Sequence, residues 1–293
     1  MSFNFAFLFS KTGKTKFLLT TAVLLGLAIS SKWTGFYAIG GVVVFLIVTK
    51  RQLLNLYKLA GLILIPIGIY LLSYGQFFLH GNSLATVSDL YNAIPIPFRE
   101  SSASFESDFF KLNEQIVWYQ GRRDLEHTYG TTPLYCVPKG LDGDKTWCPW
   151  ILDARGVYFS YQEYGSKAGF IYSIGNPLIF WSGILSISYL LGKFLEEKKK
   201  GQLLLLIGYF IFWVPWIFSP RIMFLHHYLP SIPFLSISLG LVLSNFWSSK
   251  YRYLSLAIVA LFAGMFFFLY PVTTGFPIDP QLIDKFMILK TWR

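Results

Sequence analysis

Long apolar runs separated by short charged stretches organise most of the chain. Seven runs approach membrane length, at residues 17–31, 34–48, 59–79, 170–191, 202–218, 224–245 and 253–271. An apolar helix of about 20 residues matches the thickness of a bilayer core. The first two runs are short for full spans, so they are expected to tilt or to shelter against neighbours. One long polar stretch, residues 80–169, interrupts the series. The pattern predicts an all-α integral membrane protein of about seven transmembrane helices with one mixed loop. Residues 1–79 would carry three spans, 80–169 the loop, 170–271 a four-span bundle and 272–293 a tail.

Composition agrees with a lipid environment. The chain is 54% hydrophobic and only 14% charged, more apolar surface than a soluble domain of this size can hide. Its net charge of +10 does not imply nucleic-acid binding, because the basic residues punctuate apolar runs instead of forming a stripe on a polar face.

Those basic residues set an expected orientation. Lys11, Lys14 and Lys16 precede the first run, and Lys50, Arg51 and Lys58 follow the second. Lys193, Lys198, Lys199 and Lys200 follow the fourth, and Lys250 and Arg252 follow the sixth. Placing all four clusters in the cytoplasm gives one consistent path, with the N-terminus inside and the main loop and C-terminus extracytoplasmic. A cleaved signal peptide over residues 1–30 is the weaker reading, since phenylalanine-rich residues precede the lysines and the apolar pattern resumes at once.

Four outward features carry candidate chemistry. Lys32, in SSKWTG, either snorkels to the headgroups beside Trp33 or binds a lipid phosphate. The polar loop holds Glu126, His127 and Tyr129, then Trp147, Trp150 and Arg155. Rings mixed with hydrogen-bonding groups suit a sugar or an extended peptide, and equally suit an aromatic loop core. Cys136 and Cys148 enclose a short turn; outside the cytoplasm they are expected to form a disulfide worth about 2–3 kcal/mol, with two buried thiols as the alternative. Gly175-Asn176-Pro177 reads first as a helix start.

The fourth feature is the run SPRIMFLHHYLPSIPF, Ser219–Phe234. Arg221 at a membrane edge can take a phosphate bidentately. His226 and His227 are adjacent, so on a helix they should point about 100° apart, which argues against a metal pair. Pro230 and Pro233 should keep the next helix's first turns irregular. No metal site and no cofactor motif is read from the sequence. No span contains a carboxylate, and none of Asp89, Asp108, Glu114, Asp124, Glu126 and Asp153 is marked out by spacing.

SSKWTG after a Gly-rich span, His-x-Tyr in the aromatic loop, GNPLIFW and RIMFLHHYLPSIPF, in that order, resemble the C-terminal part of the protein O-mannosyltransferases, membrane enzymes of the GT-C fold. The resemblance runs from about residue 17 to the last apolar run. It implies transfer of mannose, with inversion, from a polyprenyl phosphate to a serine or threonine hydroxyl of an acceptor protein. It implies roles for Lys32, Arg221, His226, His227 and Tyr228 toward the donor, and for His127, Tyr129, Trp150 and Arg155 toward the acceptor or loop, with no cofactor beyond the donor lipid. It also implies about eleven spans, of which this path matches the last seven. The family's catalytic acidic residues lie in an outer loop between its first two spans, so catalysis is expected to need a separate chain or segment supplying them.

Two departures stand out. The family's His-Pro-Tyr-x-Ser motif is here His127-Thr128-Tyr129-Gly130-Thr131, and a Cys-flanked insertion precedes Trp147 and Trp150. The carbohydrate-binding insertion of eukaryotic members is missing, which points to a prokaryotic plasma membrane. The alternatives are a non-catalytic module that binds a polyprenyl-phosphate lipid or a partner chain, a GT-C transferase for another lipid-linked sugar, and, third, a transporter or channel.

Overall fold

The computed structural model describes residues 1–75, 109, 112–114, 116–117, 150–154, 156–218 and 225–292. The chain divides into two compact units: Met1–Leu125 with Ser219–Arg221, and Glu126–Phe218 with Ile222–Arg293.

The first unit contains helices α1 (Ser2–Thr12), α2 (Thr15–Ser31), α3 (Gly35–Lys50) and α4 (Leu56–Ser73). The sequence reading saw only a phenylalanine-rich lead where α1 stands. Phe3, Ala6 and Phe9 recur at helical spacing and are buried, so α1 lays one face on α2 and α3. It stops at Gly13, whose φ of 70° is the left-handed conformation that closes a helix. Asn55 starts α4 by accepting the Lys58 backbone N–H at 3.0 Å. Helix α2 packs along α4. At Gly26 the approach is so close that a Cβ would lie 2.8 Å from Ile69 Cβ and 3.1 Å from Pro66 Cα, as small residues allow in membrane helix pairs.

The second unit opens with an antiparallel hairpin, β1 (Val157–Tyr164) and β2 (Lys167–Ser173), running in register from Val157–Ser173 to Tyr164–Lys167 with an irregularity at Phe159. Helices α5 (Pro177–Glu197), α6 (Lys200–Ile211), α7 (Ile232–Trp247), α8 (Arg252–Thr274) and the short α9 (Ile283–Phe286) follow. The apolar run read as 170–191 is therefore two elements. Its first residues finish β2, and α5 starts only at Pro177. Asn176 makes the boundary: its Oδ1 accepts the Ile179 N–H at 3.4 Å, while its Nδ2 donates to the Phe262 carbonyl of α8 at 2.9 Å.

Helix α7 packs against α5, α6 and α8. Gly183 faces Leu235, and Gly208 faces the Phe234 ring, with no room for a Cβ at either position. Ser238 Oγ donates to the Ser186 carbonyl at 3.1 Å and Ser255 Oγ to the Leu243 carbonyl at 2.8 Å, tying α7 to α5 and α8 to α7. Beyond α8, Leu269, Val272, Ile283 and Trp292 form a small core onto which Phe170, Tyr172 and Ile174 pack. The segment after α8 is thus built into the unit with the hairpin.

Among the described residues, five helical segments are long and apolar enough to cross a membrane: Gly35–Leu53, Leu56–Ser73, Pro177–Glu197, Leu225–Trp247 and Arg252–Thr274. Thr15–Ser31 and Lys200–Trp216 are apolar but shorter. Among the described residues, five of the seven expected spans therefore have full length. Their outward side chains include Leu185, 73% exposed, and Phe267, 71% exposed, which water would not tolerate in such numbers and lipid does.

Candidate functional site

The most chemically loaded cluster of the second unit grows from the two proline-flanked turns that precede α7. Leu225–His227 and Leu229–Ser231 are single 3-10 turns, and α7 begins at Ile232 with Pro233 in its first turn. Two prolines within four residues remove backbone donors from a regular helix, so the irregular start follows the sequence reading. A further 3-10 turn, Val214–Phe218, carries Trp216 at the end of α6.

These turns build a ladder of rings. The His227 imidazole lies nearly parallel to the Trp150 indole, at 13° with centroids 6.0 Å apart. On the same ring, His226 stacks at 4.3 Å and 28°, and Trp216 meets it edge-on at 4.6 Å. The adjacent histidines were expected to diverge. They are stacked instead: both stand on one 3-10 turn rather than on an α-helix, and Trp150 and Trp216 also pack on His227. Trp150 is wholly buried and His227 is 5% exposed, whereas His226 is only half-buried. His226 is thus the least buried of the four rings and Trp150 the most. Among the described residues no group of three or more His, Cys, Asp or Glu is placed to hold a metal ion.

Tyr228 has a supporting position. It is wholly buried, its hydroxyl is 2.8 Å from that of Tyr209, and Ser231 Oγ donates to the Tyr209 carbonyl at 2.9 Å. These bonds fasten the histidine turn to α6. Trp213, also buried, has an Nε1–H with no hydrogen-bond partner among the described residues, a donor that an incoming oxygen could use.

Trp150 opens a 3-10 turn, Trp150–Leu152, that Asp153 closes with its N–H on the Trp150 carbonyl at 3.0 Å. This aspartate has no exposed surface and a φ of 51°, in the left-handed region that non-glycine residues seldom occupy. Its Oδ1 accepts the Gly175 N–H at 3.0 Å, and its Oδ2 has no partner among the described residues. Burial pushes its carboxyl up to about 7, and the Gly175 bond offsets part of that rise. Nothing in the spacing of acidic residues distinguished Asp153; only the fold around it does. Trp213 and Trp216 were missed as well, hidden inside an apolar run.

Of the other candidate residues, Lys32 belongs to the first unit. It caps α2 in an extended conformation, exposed, with its N–H on the Ala28 carbonyl at 3.1 Å. Trp33 beside it donates from Nε1 to the Tyr70 hydroxyl at 2.9 Å. Tyr70 donates in turn to Asn113 Oδ1 at 2.7 Å, an orientation fixed by Asn113 Nδ2 on the Phe109 carbonyl. With its one proton spent there, Tyr70 must accept from Tyr74, 2.9 Å away. His127, Tyr129, Cys136, Cys148, Arg155 and Arg221 lie outside the described residues.

Residues 142–292 match the family model described as the C-terminal four TMM region of protein-O-mannosyltransferase. That region takes in Trp150, the hairpin, α5 to α8 and the closing segment. The chain is 23% identical to the polyprenol-phosphate-mannose–protein mannosyltransferase of Corynebacterium glutamicum, over 94% of this chain and 57% of that protein. It is 28% identical to dolichyl-phosphate-mannose–protein mannosyltransferase 1 of Saccharomyces cerevisiae, over 65% of this chain and 24% of that one. The solved S. cerevisiae Pmt1-Pmt2 complex bound to the sugar donor overlaps 66% of this chain and 28% of that chain, at 20% identity and a TM-score of 0.47. The chain thus spans little more than half the length of the bacterial relative.

Proposed function

The chain belongs to the protein O-mannosyltransferase family, through the family's C-terminal membrane region, and we propose that it forms the donor-holding membrane module of a polyprenyl-phosphate-mannose:protein mannosyltransferase. The observation that carries this reading is the ring ladder ending in half-buried His226, set within the family-matched region. The ring nitrogens of an imidazole can hydrogen-bond a phosphate oxygen or a sugar hydroxyl. Trp150 and Trp216 hold His227, and through it His226, in one orientation. Lys32, in the first unit, is proposed to hold a lipid phosphate on charge alone, and so is Arg221, which lies outside the described residues.

In the proposed reaction an acceptor serine or threonine oxygen bonds to the mannose C1. The C1–O bond to phosphate breaks, polyprenyl phosphate leaves, and the hydroxyl proton passes to a general base. Asp153 does not fill that role, since it has no exposed surface for an acceptor to reach. The base is proposed to come from a separate chain or segment. The basic clusters support an extracytoplasmic placement of the loop, and the bacterial relatives support a prokaryotic membrane.

Equilibrium binding of radiolabelled polyprenyl-phosphate-mannose to the purified full chain tests this reading. Saturable binding displaced by polyprenyl phosphate is expected. Displacement by phosphate-free polyprenol to the same degree overturns it.

A further inference from the structure

The turn that carries Trp150 is held by side chains from two distant places. Three consecutive carbonyls leave it, and each accepts a side-chain donor. Leu152 takes the Trp181 Nε1–H of α5 at 2.8 Å. Asp153 takes the Trp292 Nε1–H at 2.5 Å. Ala154 takes the Thr291 hydroxyl. Meanwhile the Asp153 side chain takes the Gly175 N–H at 3.0 Å. The turn ends on an aspartate in the left-handed region, a conformation that the contacts around it help to hold.

The closing segment is itself firmly placed. Trp292 is 1% exposed and packs with Leu269, Val272 and Ile283. Its backbone runs so close to Gly156 that a Cβ there would lie 3.1 Å from the Trp292 carbonyl oxygen and 2.6 Å from Ile174 Cγ2. Glycine at 156 therefore lets the closing segment reach the turn.

We infer that Thr291 and Trp292, together with Trp181, are positioning residues: by holding the Leu152–Ala154 carbonyls they set the Trp150 indole against His227 and so orient the histidine pair. They act through the turn, and of the three bonds the buried one, from the Trp292 indole to the Asp153 carbonyl, leaves neither partner an alternative in water. The functional meaning of this device rests on the proposed role of His226, but the ring geometry does not.

The test reads that geometry without any lipid. The full chain is labelled with 5-fluorotryptophan in detergent, and the Trp150 fluorine signal is assigned by its loss in Trp150→Phe. Removing the imidazole in His227→Leu removes a ring current and is expected to move the Trp150 signal. In a Thr291→Val/Trp292→Phe background the same His227→Leu change is expected to move it by less than half as much, with helical circular dichroism unchanged. A His227-dependent shift of full size in that background overturns the inference. Should the double background lose its fold, Trp292→Phe alone, which keeps a ring in the core and removes only the indole donor, is read by the same criterion. Because no donor lipid enters the measurement, a failure here leaves the lipid-binding result independent.

Discussion

The Trp150 indole and the His227 imidazole lie 13° from parallel with centroids 6.0 Å apart, joining the turn before the hairpin to the turn that starts α7. Aromatic pairs of this kind contribute about 0.5–1.5 kcal/mol beyond simple burial. Replacing Trp150 by leucine removes the stack and leaves part of its volume empty. Loss of about 2–4 kcal/mol of stability is expected, read as a lower unfolding temperature in detergent. Binding of polyprenyl-phosphate-mannose should weaken as well, because His227 is freed to turn. Unchanged affinity would show that the indole wall does not serve the ligand.

Asp153 makes stability depend on pH in a defined direction. In the unfolded chain its carboxyl ionises near 3.8; in the folded chain burial holds it up to about 7. Between those values the folded state keeps a proton that the unfolded state has released. The stabilisation is fully present below the unfolded value and is lost as pH rises through about 7, at a slope of about 1.4 kcal/mol per pH unit at most. Asp153→Asn keeps an acceptor for the Gly175 N–H and cannot ionise. Raising pH from 5 to 8 is expected to lower the wild-type unfolding temperature more than that of Asp153→Asn. Parallel curves for the two proteins would contradict a raised carboxyl.

The α5–α7 contact depends on a missing side chain. A Cβ at Gly183 would overlap Leu235, which is wholly buried and cannot swing away. Gly183→Ala should destabilise by about 1–3 kcal/mol through overpacking. Gly192 lies on the same helix with nothing within 4 Å of its Cβ position. Gly192→Ala should be neutral or slightly stabilising, since alanine is the better helix former. Thermal unfolding of the two variants side by side separates packing from helix propensity.

The Tyr70 hydroxyl joins Trp33, Tyr74 and Asn113 in one network. Tyr70→Phe removes the acceptor for two donors and the donor for one carbonyl oxygen. A cost of about 1–3 kcal/mol is expected, with the Trp33 emission shifted as its indole N–H loses its partner. Retention of both the unfolding temperature and the emission maximum would show the network to be idle.

The parts of this fold that were legible in the sequence are those set by local chemistry. Apolar runs marked the helices, Asn176-Pro177 marked the start of α5, and the two prolines after His227 marked an irregular entry to α7. The parts that were not legible depend on distant contacts. Residues 170–173 look like the opening of a span, yet they finish a strand that packs with Leu269 and Val272. The histidines looked divergent because a helix was assumed; they stand on a 3-10 turn, with Trp150 and Trp216, remote in sequence, packed on His227. Asp153 is one acidic residue among several until Gly175, Thr291 and Trp292 close around its turn.

The most direct measurement is photo-labelling of the full chain in lipid nanodiscs with a diazirine-bearing polyprenyl-phosphate-mannose, followed by peptide mapping. Label is expected on the Leu225–Ser231 turns. It should fall about 10-fold or more in His226→Ala, the loss that removing a hydrogen bond to a charged group would cause, while the helical content of the variant is retained. Equal labelling of wild type and His226→Ala, or label that phosphate-free polyprenol competes away as well as polyprenyl phosphate does, would contradict the role assigned to the histidine turn.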